Sequence, residues 1–283
     1  MENIRTIQAQ AVSDCVARLC IRACTQLPPS VAALLAGARD QEPYAPAKET
    51  LALLCRNAEI AASEPLPICQ DTGMAVVFAD VGQDVHLSGD TLENAVNAGV
   101  ARGYTEGYLR KSVVADPIRR GNTGDNTPAV IHVCLVPGDR LKITVCPKGF
   151  GSENMSRLAM LTPADGLEGV KAFVLDTVRQ AGANPCPPMM LGVGIGGTFE
   201  QVALLAKEAL AELREGPHPD PFYDHLEQEL LEQINRIGIG PQGFGGQTTA
   251  LSVRIKTAPT HIAGLPVAVN VGCHVTRHAS ETL

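Results

Sequence analysis

Three cysteines stand in stretches that could do chemistry. Cys69 lies in Pro67-Ile68-Cys69-Gln70-Asp71-Thr72-Gly73, Cys186 in Asn184-Pro185-Cys186-Pro187-Pro188, and Cys273 in Gly272-Cys273-His274. Each is close to Pro or Gly in a turn-like stretch, so its thiol projects from a sharply shaped backbone. Three thiolates can hold a cubane iron–sulfur cluster at three irons and leave the fourth open. An open iron is a Lewis acid for carboxylate and hydroxyl oxygens. Gln70 and Asp71 add an amide and an acid–base group directly beside the first thiol. The competing reading of Cys69 is a turn with a buried free thiol. The other cysteines fall in apolar segments and read as small packed residues. Cys15, Cys20 and Cys24 share one helical stretch at a spacing that fits neither common zinc sites nor common cluster sites. Cys55, Cys134 and Cys146 are expected to be structural.

The whole chain limits what such a site could serve. It has 283 residues, 45% of them hydrophobic, and a formal charge of −7. No basic stripe is present, which argues against nucleic acid as a partner. An anionic substrate would need particular arginines. The start of the chain lacks the basic-then-apolar layout of a signal peptide. No stretch reads as the roughly 18–20 apolar residues of a membrane span. A cytoplasmic protein is expected, where an odd count of nine cysteines points to thiols rather than disulfides.

The elements that must position these residues follow from periodicity and punctuation. Apolar spacing predicts a helix over residues 5–25, ended by Pro28-Pro29. A short helix capped by Ser30 follows, then one over 47–63 with Leu51, Leu54, Cys55 and Ile60 on its buried side. Met74 to Val81 reads as a buried strand, and Asp90 or Thr91 caps a helix to about Gly103. Residues 115–128 form a long polar connection of the kind that is usually functional. Strands over 129–136 and 140–145, joined by Pro137-Gly138-Asp139, read as a hairpin. Lys148 to Met155 could be a backbone cradle for an anion. Helices are expected over 166–180, 199–214 and 222–236, and strands over 250–255 and 266–271. The polar tail after Arg277 is expected to fray. The fold class is α/β: a helical N-terminal lobe plus a mixed sheet with packed helices, in a single large domain.

Gly192, Gly194 and Gly197 formally match G-x-G-x-x-G before a helix. The segment before them is proline-rich, and the acidic residue expected about 20 positions on falls at Glu212 or Glu215, in or at the end of that helix. A helix N-terminus close to an anion or to a cysteine loop is the preferred reading over a dinucleotide site.

Several segments then occur in order: Cys-Gln-Asp-Thr-Gly at 69–73, Gly-Asn-Thr-Gly-Asp-Asn-Thr-Pro at 121–128, Lys-Gly-Phe-Gly-Ser-Glu-Asn at 148–154, Asn-Pro-Cys-Pro-Pro at 184–188, Gly-Pro-Gln-Gly at 240–243 and Gly-Cys-His at 272–274. Together they resemble the iron–sulfur-dependent class I fumarate hydratases, in their N-terminal or α-subunit portion, over nearly the whole chain. The related L(+)-tartrate dehydratase α-subunits share the cysteine motifs, while Gly-Ser-Glu-Asn-Met at 151–155 is more similar to the fumarases. The resemblance implies that Cys69, Cys186 and Cys273 ligate a 4Fe–4S cluster. It implies that Gln70, Asp71, Arg110, Gly151 and Asn154 bind a small dicarboxylate, with Asp71 and His261 as catalytic candidates. The implied reaction is addition of water to fumarate to give (S)-malate.

Single-chain members of that family carry a further C-terminal domain that supplies more arginines, a lysine and the hydroxyl-bearing base. This sequence has no second basic site to replace them. The resemblance therefore implies a separate β-subunit, in an assembly of two α- and two β-subunits or on an α-dimer. At Arg277-His278 the family more often has paired arginines, so no role is assigned to His278. The alternatives are a tartrate or other hydroxy-diacid dehydratase, and a non-catalytic iron–sulfur protein for electron transfer or sensing. The latter usually saturates all four irons, and no fourth cysteine loop of this kind occurs. A zinc-bound structural protein lacks its close cysteine pairs.

Overall fold

A computed structural model describes residues 4–212 and 216–283. The first half of the chain runs β1 (Arg5–Gln8), α1 (Ala9–Thr25), α2 (Pro29–Gln41), α3 (Ala45–Ser63), β2 (Met74–Gly82), β3 (Val85–Ser88), α4 (Leu92–Glu106), β4 (Val130–Val136) and β5 (Leu141–Lys148). The second half runs α5 (Phe150–Glu153), β6 (Arg157–Leu161), α6 (Gly166–Ala181), β7 (Met189–Gly196), α7 (Phe199–Glu212), α8 (Pro221–Asn235), a 3-10 turn (Pro241–Gly243), β8 (Ala250–Ala258), β9 (Leu265–Gly272) and β10 (Ala279–Thr282). The expected α/β class is observed. Local signals set the helix ends. Thr91 Oγ1 accepts from Asn94 N at 3.2 Å at the start of α4, and Asp220 Oδ1 accepts from Phe222 N at 2.9 Å ahead of α8. Gly182, at φ +55°, ends α6.

The chain forms two compact units. One comprises Met1–Pro28, Ala58–Phe150 and Arg277–Leu283; the other comprises Pro29–Asn57 and Gly151–Thr276. The expected N-terminal helices are all present and are shared out: α1 belongs to the first unit, α2 and most of α3 to the second.

In the first unit a four-stranded sheet runs in the order β10-β5-β2-β4, with a parallel β1–β3 pair beside it. Val12, Val16 and Leu19 of α1 and Val96, Val100 and Tyr104 of α4 share its core with Val77 and Ile143 of the sheet. Residues 9–41 are long and apolar enough to pass for a membrane span on length and composition, contrary to expectation. Their hydropathy has another source: α1 ends at Thr25, α2 starts at Pro29, and the apolar side of α1 lies in this core.

The expected hairpin is not formed. β2 lies between β4 and β5, parallel to the first and antiparallel to the second. The turn of Pro137-Gly138-Asp139 arches over the end of β2, where Gly82 N donates to Arg140 O at 2.8 Å and Asp84 N to Gly138 O at 2.9 Å. The apolar run of β2 explains this, because a central strand buries both faces. β4 is left at the edge, and Cys134 on it is exposed rather than packed; Cys146 on β5 is buried as expected. The tail does not fray. β10 pairs with β5, and Arg18 Nη2 reaches Glu281 Oε1 at 2.6 Å.

In the second unit the sheet order is β6-β9-β7-β8. Met189, Leu191 and Val193 of β7 pack with α6 and α8 through Val174, Val178, Leu230 and Ile234. The alternate residues face α7. A Cβ on Gly194 would stand 2.3 Å from Val202 O, and one on Gly192 2.1 Å from Ala206 O. These glycines admit the α7 backbone to the sheet; they lie inside an eight-residue strand, not in a phosphate-binding turn. Glu215 lies outside the described residues, as does the side chain of Glu212. On α3, Leu51 is buried as expected, whereas Ile60 is exposed and Cys55 half-buried.

Candidate functional site

In the first unit the Cys69 loop runs into β2 and is held by polar groups from distant positions. Ile68 N donates to Cys24 O at 2.9 Å. The buried Tyr104 hydroxyl donates to Thr72 O and Gly73 O, both at 3.0 Å. Asn126, also buried, donates to Gly73 O at 3.2 Å and accepts from Ser112 N at 2.7 Å. Arg277 Nη2 donates to Asp71 O at 2.7 Å. Loop carbonyls are thus pinned by side chains 31 to 206 residues away. Gly73 is required by its conformation, at φ +77°, and by crowding, since a Cβ would lie 2.6 Å from Lys148 C.

The Asp71 carboxylate joins this framework. Oδ1 accepts from Gly73 N at 3.0 Å, and Oδ2 accepts from Phe150 N at 2.9 Å. Of the Lys148–Met155 segment, expected to be a backbone cradle for an anion, the Phe150 N–H here donates to a carboxylate of the chain itself. Cys69 Sγ lies 3.6 Å from Gln70 Oε1. Thr72 Oγ1 donates to Arg110 O at 3.1 Å, which places Arg110 beside the loop. The Arg110 side chain is exposed and forms no ion pair among the described residues. Behind the loop, burial pushes the Cys24 thiol up to about 11, with Arg277 opposing the shift. Burial likewise raises Cys15 to about 11 and Cys20 further. These helix thiols stay protonated and packed, as their periodicity implies.

In the second unit the Cys186 and Cys273 loops meet. Cys186 precedes β7 and Cys273 follows β9, and Met190 of β7 is paired with Gly272 of β9. His274 N and Nδ1 approach Cys186 O at 3.4 and 2.9 Å. Gln242, in the Gly-Pro-Gln-Gly segment, donates to Pro187 O from N at 2.8 Å and from Nε2 at 2.7 Å. Thr276 closes the Cys273 turn, donating to Cys273 O from Oγ1 at 2.8 Å. At the same end of the sheet, Ser156 Oγ accepts from Val271 N at 3.0 Å, and Asn270 Nδ2 donates to Glu153 Oε2 at 2.8 Å. Lys207 pairs with Glu153 as well. This fixes the turn that carries Gly151 and Asn154. A Cβ on Gly151 would be 3.6 Å from Asn184 O of the Cys186 loop, and Asn154 is exposed.

His261 is not brought to this end. It lies between β8 and β9, where β8 runs parallel and β9 antiparallel to β7. That connection sits beyond the C-terminal end of β7, whereas Cys186 lies before its start. The eight residues of β7 span about 25 Å. His261 is exposed there, its Nδ1 accepting from Ala263 N at 3.2 Å. Gly194–Gly197 and the start of α7 share that far end, so the expected approach of this helix N-terminus to a cysteine loop does not occur in this unit.

None of the nine cysteines is in a disulfide. Among the described residues no three Cys, His, Asp or Glu stand close enough to share one metal ion. Thiols on turn-like loops are the donor type that holds an iron–sulfur cluster, and none of the Cys69, Cys186 and Cys273 loops carries the close cysteine pair typical of structural zinc sites. Sequence reasoning missed Tyr104, Asn126 and Arg277 as supports of the Cys69 loop. Only the placement of Asn126 in a long polar connection gave any signal.

Comparison with known proteins bears on this arrangement. Residues 13–282 match the family model described as Fumarate hydratase (Fumerase). A "Putative L(+)-tartrate dehydratase subunit alpha" from Methanocaldococcus jannaschii is 40% identical over 277 residues, covering 96% of this chain and 97% of that protein. The "L(+)-tartrate dehydratase subunit alpha" of Escherichia coli is 32% identical over 272 residues, covering 95% of this chain and 89% of its own. The protein of the same name from Shigella sonnei matches to the same extent, 32% over 272 residues, with 95% and 89% covered.

Proposed function

The chain belongs to the fumarate hydratase (Fumerase) family, and from that premise we propose that it is the cluster-binding α-subunit of a cytoplasmic hydro-lyase. Its reaction in this reading is the reversible hydration of fumarate to (S)-malate, at a site completed by a separate β-subunit. The observation that carries the reading is the pinned pair of Cys186 and Cys273 loops, on the thiol-bearing end of the sheet that also holds Gly151.

In this reading Cys69, Cys186 and Cys273 hold a 4Fe–4S cluster. When bound, such a cluster supplies a Lewis-acidic iron for carboxylate and hydroxyl oxygens. The remaining work falls to side chains. Arg110, exposed beside Thr72, offers a two-point grip on a substrate carboxylate. Gln70 offers an amide next to the first thiol, and Gly151 and Asn154 offer polar groups beside the Cys186 loop. Asp71, with both oxygens already accepting backbone N–H groups, orients the loop and keeps lone pairs for a further proton or water. His261 receives no step at the Cys186–Cys273 end of this chain.

Dehydration of L(+)-tartrate is the second reading, favoured by the names of relatives that match nearly the whole chain. Anaerobic reconstitution with iron and sulfide, followed by assays on fumarate and on L(+)-tartrate with and without the candidate β-subunit, separates the two. We expect cluster absorbance in the α-chain, its loss in Cys69→Ser, and turnover only with both subunits. Full activity from this chain alone would sink the split site; unchanged iron content in Cys69→Ser would remove that ligand.

A further inference from the structure

Two side chains in segments singled out by sequence, Gln242 of Gly-Pro-Gln-Gly at 240–243 and His274 beside Cys273, have no role in the reaction outlined above. We propose that Gln242 and His274 are positioning residues that form a clamp on the Cys186 loop and set the direction of its thiol before any cluster arrives. The proposal rests on the ligand assignment of Cys186 for its consequence, but its geometry belongs to the apoprotein.

The Cys186 backbone is strained. Cys186 sits at φ +54° and Gln242 at φ +55°, and neither is glycine. Such conformations are disfavoured for residues other than glycine and persist only where the surroundings over-determine them. Here the surroundings are hydrogen bonds to two consecutive carbonyls. Cys186 O is approached by His274 N at 3.4 Å and Nδ1 at 2.9 Å. Pro187 O accepts from Gln242 N at 2.8 Å and Nε2 at 2.7 Å. The positive φ of Gln242 turns its backbone N–H and its side chain onto the same oxygen.

The clamp also fixes a tautomer. Nδ1 is 2.9 Å from Cys186 O, an acceptor only, and 3.3 Å from Gln242 Nε2, a donor only. It cannot satisfy both in one protonation state. The shorter contact assigns the proton to Nδ1, which donates to Cys186 O; Gln242 Nε2 donates to Pro187 O and only packs against the ring. Because His274 directly follows Cys273, the same imidazole couples the directions of two thiols.

The test compares substitutions that keep or remove the Nδ1 donor. An Asn side chain places an N–H near the Nδ1 position, whereas Gln places it near Nε2. The full-length apo chain is treated with iodoacetamide, and alkylation of Cys186 is followed by peptide mass spectrometry, with Cys134 as an internal exposed standard. We expect His274→Ala, His274→Gln and Gln242→Ala to change the Cys186 rate relative to Cys134 by about tenfold, the scale of one lost hydrogen bond, and His274→Asn to stay close to wild type. In chain reconstituted with iron and sulfide, the same three variants should lose cluster absorbance in air several times faster, and His274→Asn should not. Equal behaviour of His274→Asn and His274→Gln, or a wild-type Cys186 rate in Gln242→Ala, would overturn the clamp. A melting curve for each variant identifies any that fails to fold, and the near-isosteric Asn and Gln pair then decides. Should wild-type chain assemble no cluster, the proposed function fails while the alkylation rates still judge the clamp.

Discussion

Asp71 shows how one side chain in a reactive-looking stretch can be committed to architecture. Its position next to Cys69 suggests acid–base chemistry, yet both of its oxygens accept backbone N–H groups, from Gly73 and Phe150. One bond closes a local turn, and the other ties the Cys69 loop to the residue that follows β5. An Asn at this position retains one acceptor oxygen and turns an NH2 group toward the second donor. Asp71→Asn should therefore destabilise the apo chain by about 1–3 kcal/mol, the cost of leaving a donor unsatisfied, as measured by urea unfolding. If it unfolds like wild type, the carboxylate is dispensable for the loop and an acid–base role gains weight. Nothing in the neighbouring residues announces the second bond, because its donor is 79 positions away.

At the level of elements, the features legible in sequence are those written locally. Thr91, Asp220 and Gly182 end helices where capping chemistry puts them, and the cysteine loops are recognisable from their flanking Pro and Gly. What failed were inferences about which element lies beside which. Pro137-Gly138-Asp139 is a sound turn signal, but it does not reveal that β2 intervenes between the strands it joins. Likewise the glycines of β7 resemble a phosphate loop until α7 is seen against them. That packing makes a prediction. Gly194→Ala puts a methyl 2.3 Å from the Val202 carbonyl and should cost about 3 kcal/mol through overpacking. Gly37→Ala, on α2, meets nothing within 4 Å and should stabilise by about 0.5–1 kcal/mol through helix propensity. Chemical unfolding of the two variants checks both signs. A tolerated Gly194→Ala would mean the strand and helix can part, and would reopen a ligand-binding role for the glycines.

For the whole molecule, acidification brings two opposing trends. The chain carries a formal charge of −7, so protonation at first relieves self-repulsion, a diffuse effect that favours the compact state. Against it stand two specific groups, one in each unit. In the first, burial holds His278 below its ordinary 6.5, with Lys142 nearby acting in the same direction. Its buried Nδ1 has no hydrogen-bond partner among the described residues, so a proton taken up there meets no acceptor. In the second, Glu42 is buried, which alone would raise its carboxyl. Hydrogen bonds from the Thr248 hydroxyl and from the Gln247, Tyr44 and Thr248 N–H groups outweigh this and hold it below 4.5. Both folded-state values are depressed. Each group therefore contributes stability that is complete above its unfolded value and is lost as pH falls through the folded one. His278 acts first, below 6.5, and Glu42 later, below 4.5. Urea midpoints measured from neutral pH to about pH 3 should show a decline in two stages. His278→Gln should flatten the upper stage alone. Glu42→Gln should lower stability at neutral pH and flatten the lower stage, because it removes a charged acceptor on which the 247–248 backbone depends. An unchanged slope in both variants would place the acid sensitivity in the many exposed carboxylates instead. Those are screened by solvent and should give a shallow, salt-dependent decline without stages.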